Sequence, residues 1–159
     1  MKLDDWILAL HLLSAFALVG AFTMFSVGFV SLRSTDTPGR ALAVDSAMRI
    51  GKVAVTIGSV GTILFGIWLA ISLDAYQVWD LWVILAIIGW AIVTELGRRS
   101  GVALREPFEH ARQLISQGRD GADAELAAAL RSSRVYVFHW TAVVVTLLVL
   151  IDMIWKPGA

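Results

Sequence analysis

Four long apolar runs, separated by polar segments that carry nearly all of the charge, organise this chain. The runs cover residues 6–32, 53–73, 81–97 and 135–155. All but the third reach the roughly 20 residues that a helix needs to cross the hydrocarbon core of a bilayer. The pattern predicts an all-α protein, a four-span transmembrane antiparallel helix bundle that forms a single integral membrane domain over residues 1–159. Because Asp4 and Asp5 spoil the basic start of a signal peptide, we interpret the first run as a true span.

The polar segments also carry helical patterns. Residues 98–134 are too long for a bare connection. Within them Pro107 suits a first helical turn, and Phe108, Ala111 and Ile115 recur at helical spacing, which predicts an amphipathic helix on the cytoplasmic interface. We expect further helical leads into the second and fourth spans, over residues 40–52 and 122–134.

Composition supports a membrane protein and excludes several classes of site. Hydrophobic residues make up 58% of the chain and charged residues only 16%, against about a quarter in soluble domains. The absence of cysteine excludes disulfides, thiolate metal sites, iron–sulfur clusters and covalently attached haem. A net charge of zero argues against a nucleic-acid partner. The predicted partners are the lipid bilayer and, as alternatives, a homo-oligomer or a membrane complex.

The distribution of cations predicts the orientation in the cell membrane. Eleven of the thirteen lysines and arginines lie in the two segments that join spans one to two and three to four. Short cytoplasmic loops hold such an excess, so both termini are expected on the non-cytoplasmic side of a bacterial inner membrane. Tryptophan favours membrane interfaces, and four tryptophans map to the outer boundary: Trp6, Trp79, Trp82 and Trp155.

Ionisable groups inside the spans are candidate functional residues, because they are costly at membrane depth. At 1.5 Å per residue, His11 lies roughly 7 Å below the outer boundary, whereas His139 lies roughly 24 Å and Glu95 roughly 21 Å below it. Thr23 and Thr56 fall near the same inner level. We therefore predict an inner polar layer of Thr23, Thr56, Glu95 and His139 that relays protons or binds a cation.

Structural roles are open alternatives for the same residues. Glu95 precedes Arg98 closely enough to pair with an arginine or to reach the headgroups. His139 could bond a backbone or threonine oxygen between packed helices. His110 with Glu106 has the spacing of a metal-ligand pair, but a solvated helix face is favoured, and no metal site is predicted at this pair.

Glycines recur along the second span and are expected to let helices approach closely. They are Gly51, Gly58, Gly61 and Gly66. No strand precedes them and no Gly-Lys-Ser sequence follows, so they do not form a phosphate-binding loop.

The segment from Leu10 to Gly20, in which His11 is followed by small residues, resembles the first span of several small bacterial membrane families. One is an uncharacterised family of four-span predicted integral membrane proteins of about this length. More remote are the copper-resistance D membrane proteins and the haem-containing protoporphyrinogen oxidases. The likeness to the oxidases implies that His11 is an axial ligand of haem b, although no lysine or arginine within the spans accompanies it here.

Two functions follow as hypotheses. The first is a non-enzymatic membrane protein, an accessory or small-solute/ion-handling component that uses the Glu95/His139 layer. The alternative is a b-type haem or metal-binding redox protein that uses His11.

Overall fold

The computed structural model describes residues 3–72, 77 and 79–157, and within them the chain forms helices without a strand. Four helical segments are long and apolar enough to cross a membrane, which confirms the all-α four-span bundle. The predicted end of the second span, Leu73, lies outside the described residues. The helices are α1 (Leu3–Arg33), α2 (Pro38–Ser72), α3 (Leu81–Ala103), α4 (Arg105–Ser116), α5 (Ala124–Leu130) and α6 (Ser133–Trp155).

The spans associate as two pairs. Helix α1 packs along α2, and α3 packs along α6, while α4 contacts α2 and α3. We call the end that carries the α1–α2 turn, α4 and α5 the loop end, and the opposite end, where α1 begins and α6 ends, the terminal end. The space between the two pairs holds the cavity described below.

Close backbone contact holds the first pair together. A Cβ atom at Gly58 would lie 2.7 Å from the backbone nitrogen of Leu18 and 2.8 Å from the carbonyl oxygen of Ser14. Both distances are shorter than van der Waals contact, so only glycine fits here without moving a helix. The predicted packing role is confirmed at this position, because small residues let membrane helices approach closely.

The main buried core lies at the loop end instead of midway along the spans. It joins Phe29 and Leu32 of α1 to Met48 of α2, Phe108 of α4 and Tyr136 of α6. By contrast, many large apolar side chains elsewhere on the spans are exposed, as expected of helices that face lipid instead of water.

Backbone and side-chain hydrogen bonds tie the loop end together. Pro38 begins α2, as proline does at a first helical position, and the Gly39 N–H donates to Oδ1 of Asp120 at 2.7 Å. The Asp123 N–H donates to the Asp36 carbonyl, and Arg131 Nε donates to the Arg33 carbonyl, both at 2.9 Å. These hydrogen bonds therefore join segments of the loop end that lie far apart in the sequence.

Helix boundaries and packing differ from expectation at two places. The predicted helical lead over residues 122–134 is instead the short helix α5, which is separated from α6 at residues 131 and 132. The amphipathic helix α4 exists, but it buries Phe108, Ala111 and Leu114 against the bundle core, while Ile115 stays 39% exposed. The apolar face of α4 thus packs against protein, because the other helices present an apolar surface to it at the loop end.

Candidate functional site

A cavity of about 740 Å³ lies between the two helix pairs and reaches the loop end. All four spans and α4 contribute to its walls. Its apolar part includes Phe22 and Phe25 of α1, Val55 of α2 and Trp90 of α3. The volume falls in the range of roughly 300–1,000 Å³ that is typical of small-molecule sites.

The sequence places the α3 wall by simple helical periodicity. Trp90, Val93, Thr94, Gly97 and Gly101 line the cavity. These positions follow the i, i+3, i+4, i+7 and i+11 pattern, so they share one face of a helix with 3.6 residues per turn. The α3 contribution is therefore a continuous stripe from midspan to the loop end.

His139 lies on the cavity wall and is held by α1. Its Nε2 lies 2.9 Å from the Ser26 hydroxyl, which itself donates to the Phe22 carbonyl at 2.9 Å. Both hydrogen bonds form at once only if the serine proton goes to that carbonyl and Nε2 donates its own proton to Ser26. The lone pair of the neutral ring is then at Nδ1.

Aromatic rings surround the same histidine. Ring centroids of Phe29, Trp140 and Phe22 lie 4.4, 5.3 and 6.4 Å from that of His139, whose side chain is buried. The imidazole is thus oriented by one hydrogen bond and by packing against these rings. This arrangement presents a fixed polar group in an apolar wall.

A second hydrogen bond crosses between the two helix pairs. The indole nitrogen of Trp90 on α3 donates to the hydroxyl of Ser59 on α2 at 2.7 Å. Both residues line the cavity near its midspan end. The bond connects the pairs on the side away from the loop end.

At the loop end the cavity wall becomes charged around Asp45, which is only 3% exposed. Its Oδ2 accepts from Arg112 on α4 at 2.6 Å and from Arg49 at 3.3 Å, and its Oδ1 lies 3.7 Å from Lys52 Nζ. One buried carboxylate therefore attracts three cations. The pairing also fixes α4 onto α2, since a buried charge is stable only with such partners.

The four residues of the predicted polar layer form no common hydrogen-bond network. Thr23 donates to the Val19 carbonyl and Thr56 to the Lys52 carbonyl, each within its own helix. Thr56 and His139 do line the main cavity, whereas Thr23 lines a smaller cavity of about 310 Å³ between α1 and α2. A relay or cation site built on this layer stays a prediction.

Glu95 forms ion pairs with its own helix. Its carboxylate accepts from Arg98 and from Arg99, each Nε at 2.7 Å, and its side chain is 42% exposed. This is the arginine pairing that the sequence left as an alternative. Since successive residues are rotated by about 100°, Glu95 lies off the stripe that includes Thr94 and Gly97. Glu95 therefore lies at a depth close to that of His139, but on a different face of α3 from the one that lines the cavity.

His11 lies in the terminal half of the first pair, away from this cavity. Its Nδ1 lies 3.1 Å from the carbonyl oxygen of Thr62 on α2, and its ring also packs beside Gly66. A carbonyl oxygen only accepts, so Nδ1 carries the proton and the lone pair is at Nε2. The two span histidines are therefore separate features with opposite tautomers.

His110 faces the carboxylate of Asp123 and not a metal cluster. Its Nε2 is 3.7 Å from Asp123 Oδ1, and no group of three metal-ligating side chains occurs among the residues described. The hydrogen bond from the Leu126 N–H lowers the pKa of the Asp123 carboxyl, and His110 and Arg119 add to that shift. Asp123 therefore caps α5 as a carboxylate, and this contribution to stability is lost only as the pH falls through that lowered pKa.

Sequence reasoning missed the cluster around Asp45 and the Ser26 partner of His139. The sequence does carry a signal for Asp45, because Ala41, Asp45 and Met48 fall on one helical face and Asp45 interrupts its apolar residues. In the structure both Ala41 and Met48 are buried. A carboxylate centred in an apolar stripe requires a cationic partner. Ser26 has no such signal, since its partner lies on α6, distant in sequence.

No protein-family model, curated protein or solved structure matches this chain. The geometry of the cavity therefore carries the functional argument.

Proposed function

We propose that this integral membrane protein is an accessory or small-solute-handling component whose binding site is the cavity between its two helix pairs. The observation that carries the proposal is a cavity of about 740 Å³ with apolar walls, in which His139 and the Trp90–Ser59 pair supply a few oriented polar groups. Ligand sites combine these two features, because apolar walls supply affinity and a few polar groups supply orientation.

The same proposal includes an orientation. Cations concentrate at the loop end, and the positive-inside rule places that end in the cytoplasm and both termini on the non-cytoplasmic side of the cell membrane. The cavity then opens at the level of the cytoplasmic leaflet. A solute could reach it from the cytoplasm or from the lipid of that leaflet.

Filling the cavity tests this function. Val93 lines the cavity, whereas the neighbouring Ile92 is 44% exposed on another face of α3 and is absent from the lining. Native mass spectrometry of the detergent-solubilised protein with dodecanol and dodecyl phosphate is expected to show one bound molecule of at least one probe. Val93→Trp should abolish this adduct, and Ile92→Trp should retain it with the same helical content. Binding of neither probe, or equal binding by both variants, would contradict the proposal.

A second candidate function is favoured by the geometry of His11. Histidines that ligate metals or haem commonly donate the other ring proton to a backbone carbonyl, and the Nδ1 contact of His11 with Thr62 has this form. Nε2 of His11 would then hold the iron of a haem b, which would supply one-electron chemistry when bound. This is the role that the resemblance of the first span to haem-containing oxidases implied.

An optical spectrum distinguishes the second candidate. If the protein binds haem through His11, the purified protein shows a Soret band that His11→Ala abolishes. His110→Ala is the matched control, since that histidine lies on α4 beside Asp123. A colourless, folded preparation that stays colourless after incubation with haemin would eliminate this candidate and leave the cavity proposal intact.

A further inference from the structure

The wall of the main cavity changes from apolar to cationic along its length. Leu18, Val60 and Trp90 line its midspan part, and Asp45 and Lys52 line its loop-end part. From Val60 to Asp45 the α2 wall extends roughly 22 Å at 1.5 Å per residue. This exceeds the roughly 15 Å of one leaflet's hydrocarbon, half of a core about 30 Å thick. The cavity therefore has the length and polarity of an amphiphile in a single leaflet.

Positive charge is in excess at the charged part. Asp45 is the single carboxylate that Arg49, Lys52 and Arg112 share. Two positive charges in this cluster have no carboxylate to balance them within the described part of the chain. Lys52 and Arg112 line the loop-end opening of the cavity, which we call the mouth, and their side chains are 56% and 45% exposed, so their free N–H groups stay accessible there.

The neighbouring ion pairs do not remove this excess. Glu95 is shared between Arg98 and Arg99, and Glu109 pairs with Arg105. Arg98 and Arg105 also line the cavity, but neither carboxylate does. The mouth is therefore positive overall and suited to an anion.

An unpartnered hydroxyl gives an independent indication of a polar ligand. Ser100 lines the cavity and is only 6% exposed, and its Oγ has no hydrogen-bond partner among the described residues. Buried side-chain hydroxyls nearly always find a partner. An oxygen of a ligand headgroup at the mouth would provide one.

We propose that the cavity binds an amphipathic oxyanion, a molecule with an apolar chain and a phosphate or carboxylate head. The head binds Lys52 and Arg112 and meets the Ser100 hydroxyl, and the chain extends towards Trp90. Guanidinium and ammonium groups form strong charge-assisted hydrogen bonds with such oxygens. This inference rests on the proposed solute-binding function and adds the chemical class of the solute.

The experiment compares three probes on the full-length protein in a non-ionic detergent. Dodecyl phosphate carries both chain and head, dodecanol carries the chain alone, and inorganic phosphate carries the head alone. We expect dodecyl phosphate to bind at least about 10-fold more tightly than either of the others, because hydrogen bonds to charged groups are the stronger ones. Raising the ionic strength should reduce this preference.

Two cavity variants and one matched control locate the head. Lys52→Gln and Ser100→Ala should each weaken dodecyl phosphate binding at least about 3-fold while dodecanol binding stays the same. Arg134→Gln removes an exposed cation that is absent from the cavity lining, and it should bind both probes as the wild type does. Ser100→Ala keeps the test informative if Lys52→Gln does not fold.

Each remaining outcome contradicts a defined part of the account. Equal affinity for dodecyl phosphate and dodecanol would overturn the anionic head but leave the cavity as a solute site. If inorganic phosphate bound as tightly as dodecyl phosphate, the proposal that the ligand needs an apolar chain would be wrong. Binding of none of the probes would overturn the proposed function as well. Unchanged preference in both cavity variants would place the anion elsewhere.

Discussion

His139 illustrates how a single residue in the bundle is restricted by its neighbours. Its Nε2 proton is committed to Ser26, whose own proton is committed to the Phe22 carbonyl. The histidine is only 4% exposed, so little of its ring is open to a replacement partner. The Ser26 hydroxyl therefore contributes more to the stability of the fold than a serine hydroxyl that bonds only within its own helix.

We predict that Ser26→Ala lowers the free energy of unfolding by about 1–3 kcal/mol, the usual cost of leaving a buried donor without an acceptor. Thr23→Val is the matched control, because Thr23 donates only to Val19 one turn earlier, and it should cost less than about 0.5 kcal/mol. Unfolding with sodium dodecyl sulfate in mixed micelles measures both. Equal effects of the two substitutions would show that the bond to His139 does not stabilise the fold.

The level of a residue along a span follows from sequence, but its partner does not. Counting residues placed Glu95 and His139 at similar depth, yet Glu95 bonds Arg98 and Arg99, which follow it by three and four positions. Residues three and four positions apart are neighbours on a helix, so the sequence itself predicts these ion pairs. The Ser26–His139 contact joins positions that share no pattern, so packing alone determines it.

Among the elements, α1 and α2 depend on glycine for their close packing. Gly58 lies against the backbone of α1, and Gly66 lies against His11. Glycines in the second span predicted close helix packing, and this was confirmed at Gly58. Sequence could not identify which helix approaches, since a stripe of small residues does not specify its partner.

Gly58→Ala is expected to separate the pair and to lower the free energy of unfolding by about 1–3 kcal/mol, as overpacking does. Gly20→Ala is the control, because a Cβ at Gly20 meets nothing within 4 Å. It should be neutral or stabilising by up to about 1 kcal/mol, since alanine favours helix over glycine. The same unfolding assay compares the two. Equal stability of both variants would argue against close contact at Gly58.

Helix α4 shows how tertiary packing redirects a helix with a correctly predicted pattern. Amphipathic spacing identified the helix, but a lipid interface and a protein core demand the same apolar face. In the structure α4 packs against protein and not lipid, because Arg112 binds Asp45 on α2 and Phe108 is buried in the loop-end core. The partner surface of an amphipathic helix is thus not encoded in its periodicity.

At the scale of the whole molecule, the apolar surface and the uneven charge define a membrane protein with two different ends. Hydropathy predicted the four spans, because a bilayer imposes length and polarity on every crossing segment. The cavity between the pairs was not predicted, since it arises from how the two helix pairs pack against each other and not from any one segment. The two ends, in turn, should differ in access from the two sides of the membrane.

The absence of native cysteine allows a clean test of orientation. Gln117→Cys is exposed at the loop end and Leu3→Cys at the terminal end. A membrane-impermeant maleimide added to intact cells should label Leu3→Cys alone, and permeabilised cells should label both. Labelling of Gln117→Cys in intact cells would reverse the proposed orientation.

The most direct test of the cavity as a binding site is to locate a bound chain beside Trp90. A variant that keeps Trp90 and replaces the other six of the seven tryptophans by phenylalanine reports on the cavity, and one that keeps Trp68 reports on the lipid-exposed side of α2. Dodecyl phosphate brominated at its chain end, added at stoichiometric amounts, is predicted to quench Trp90 fluorescence saturably and to leave Trp68 nearly unchanged. Equal, non-saturating quenching of both would mean that the chain only partitions into detergent, and the proposed site would be wrong.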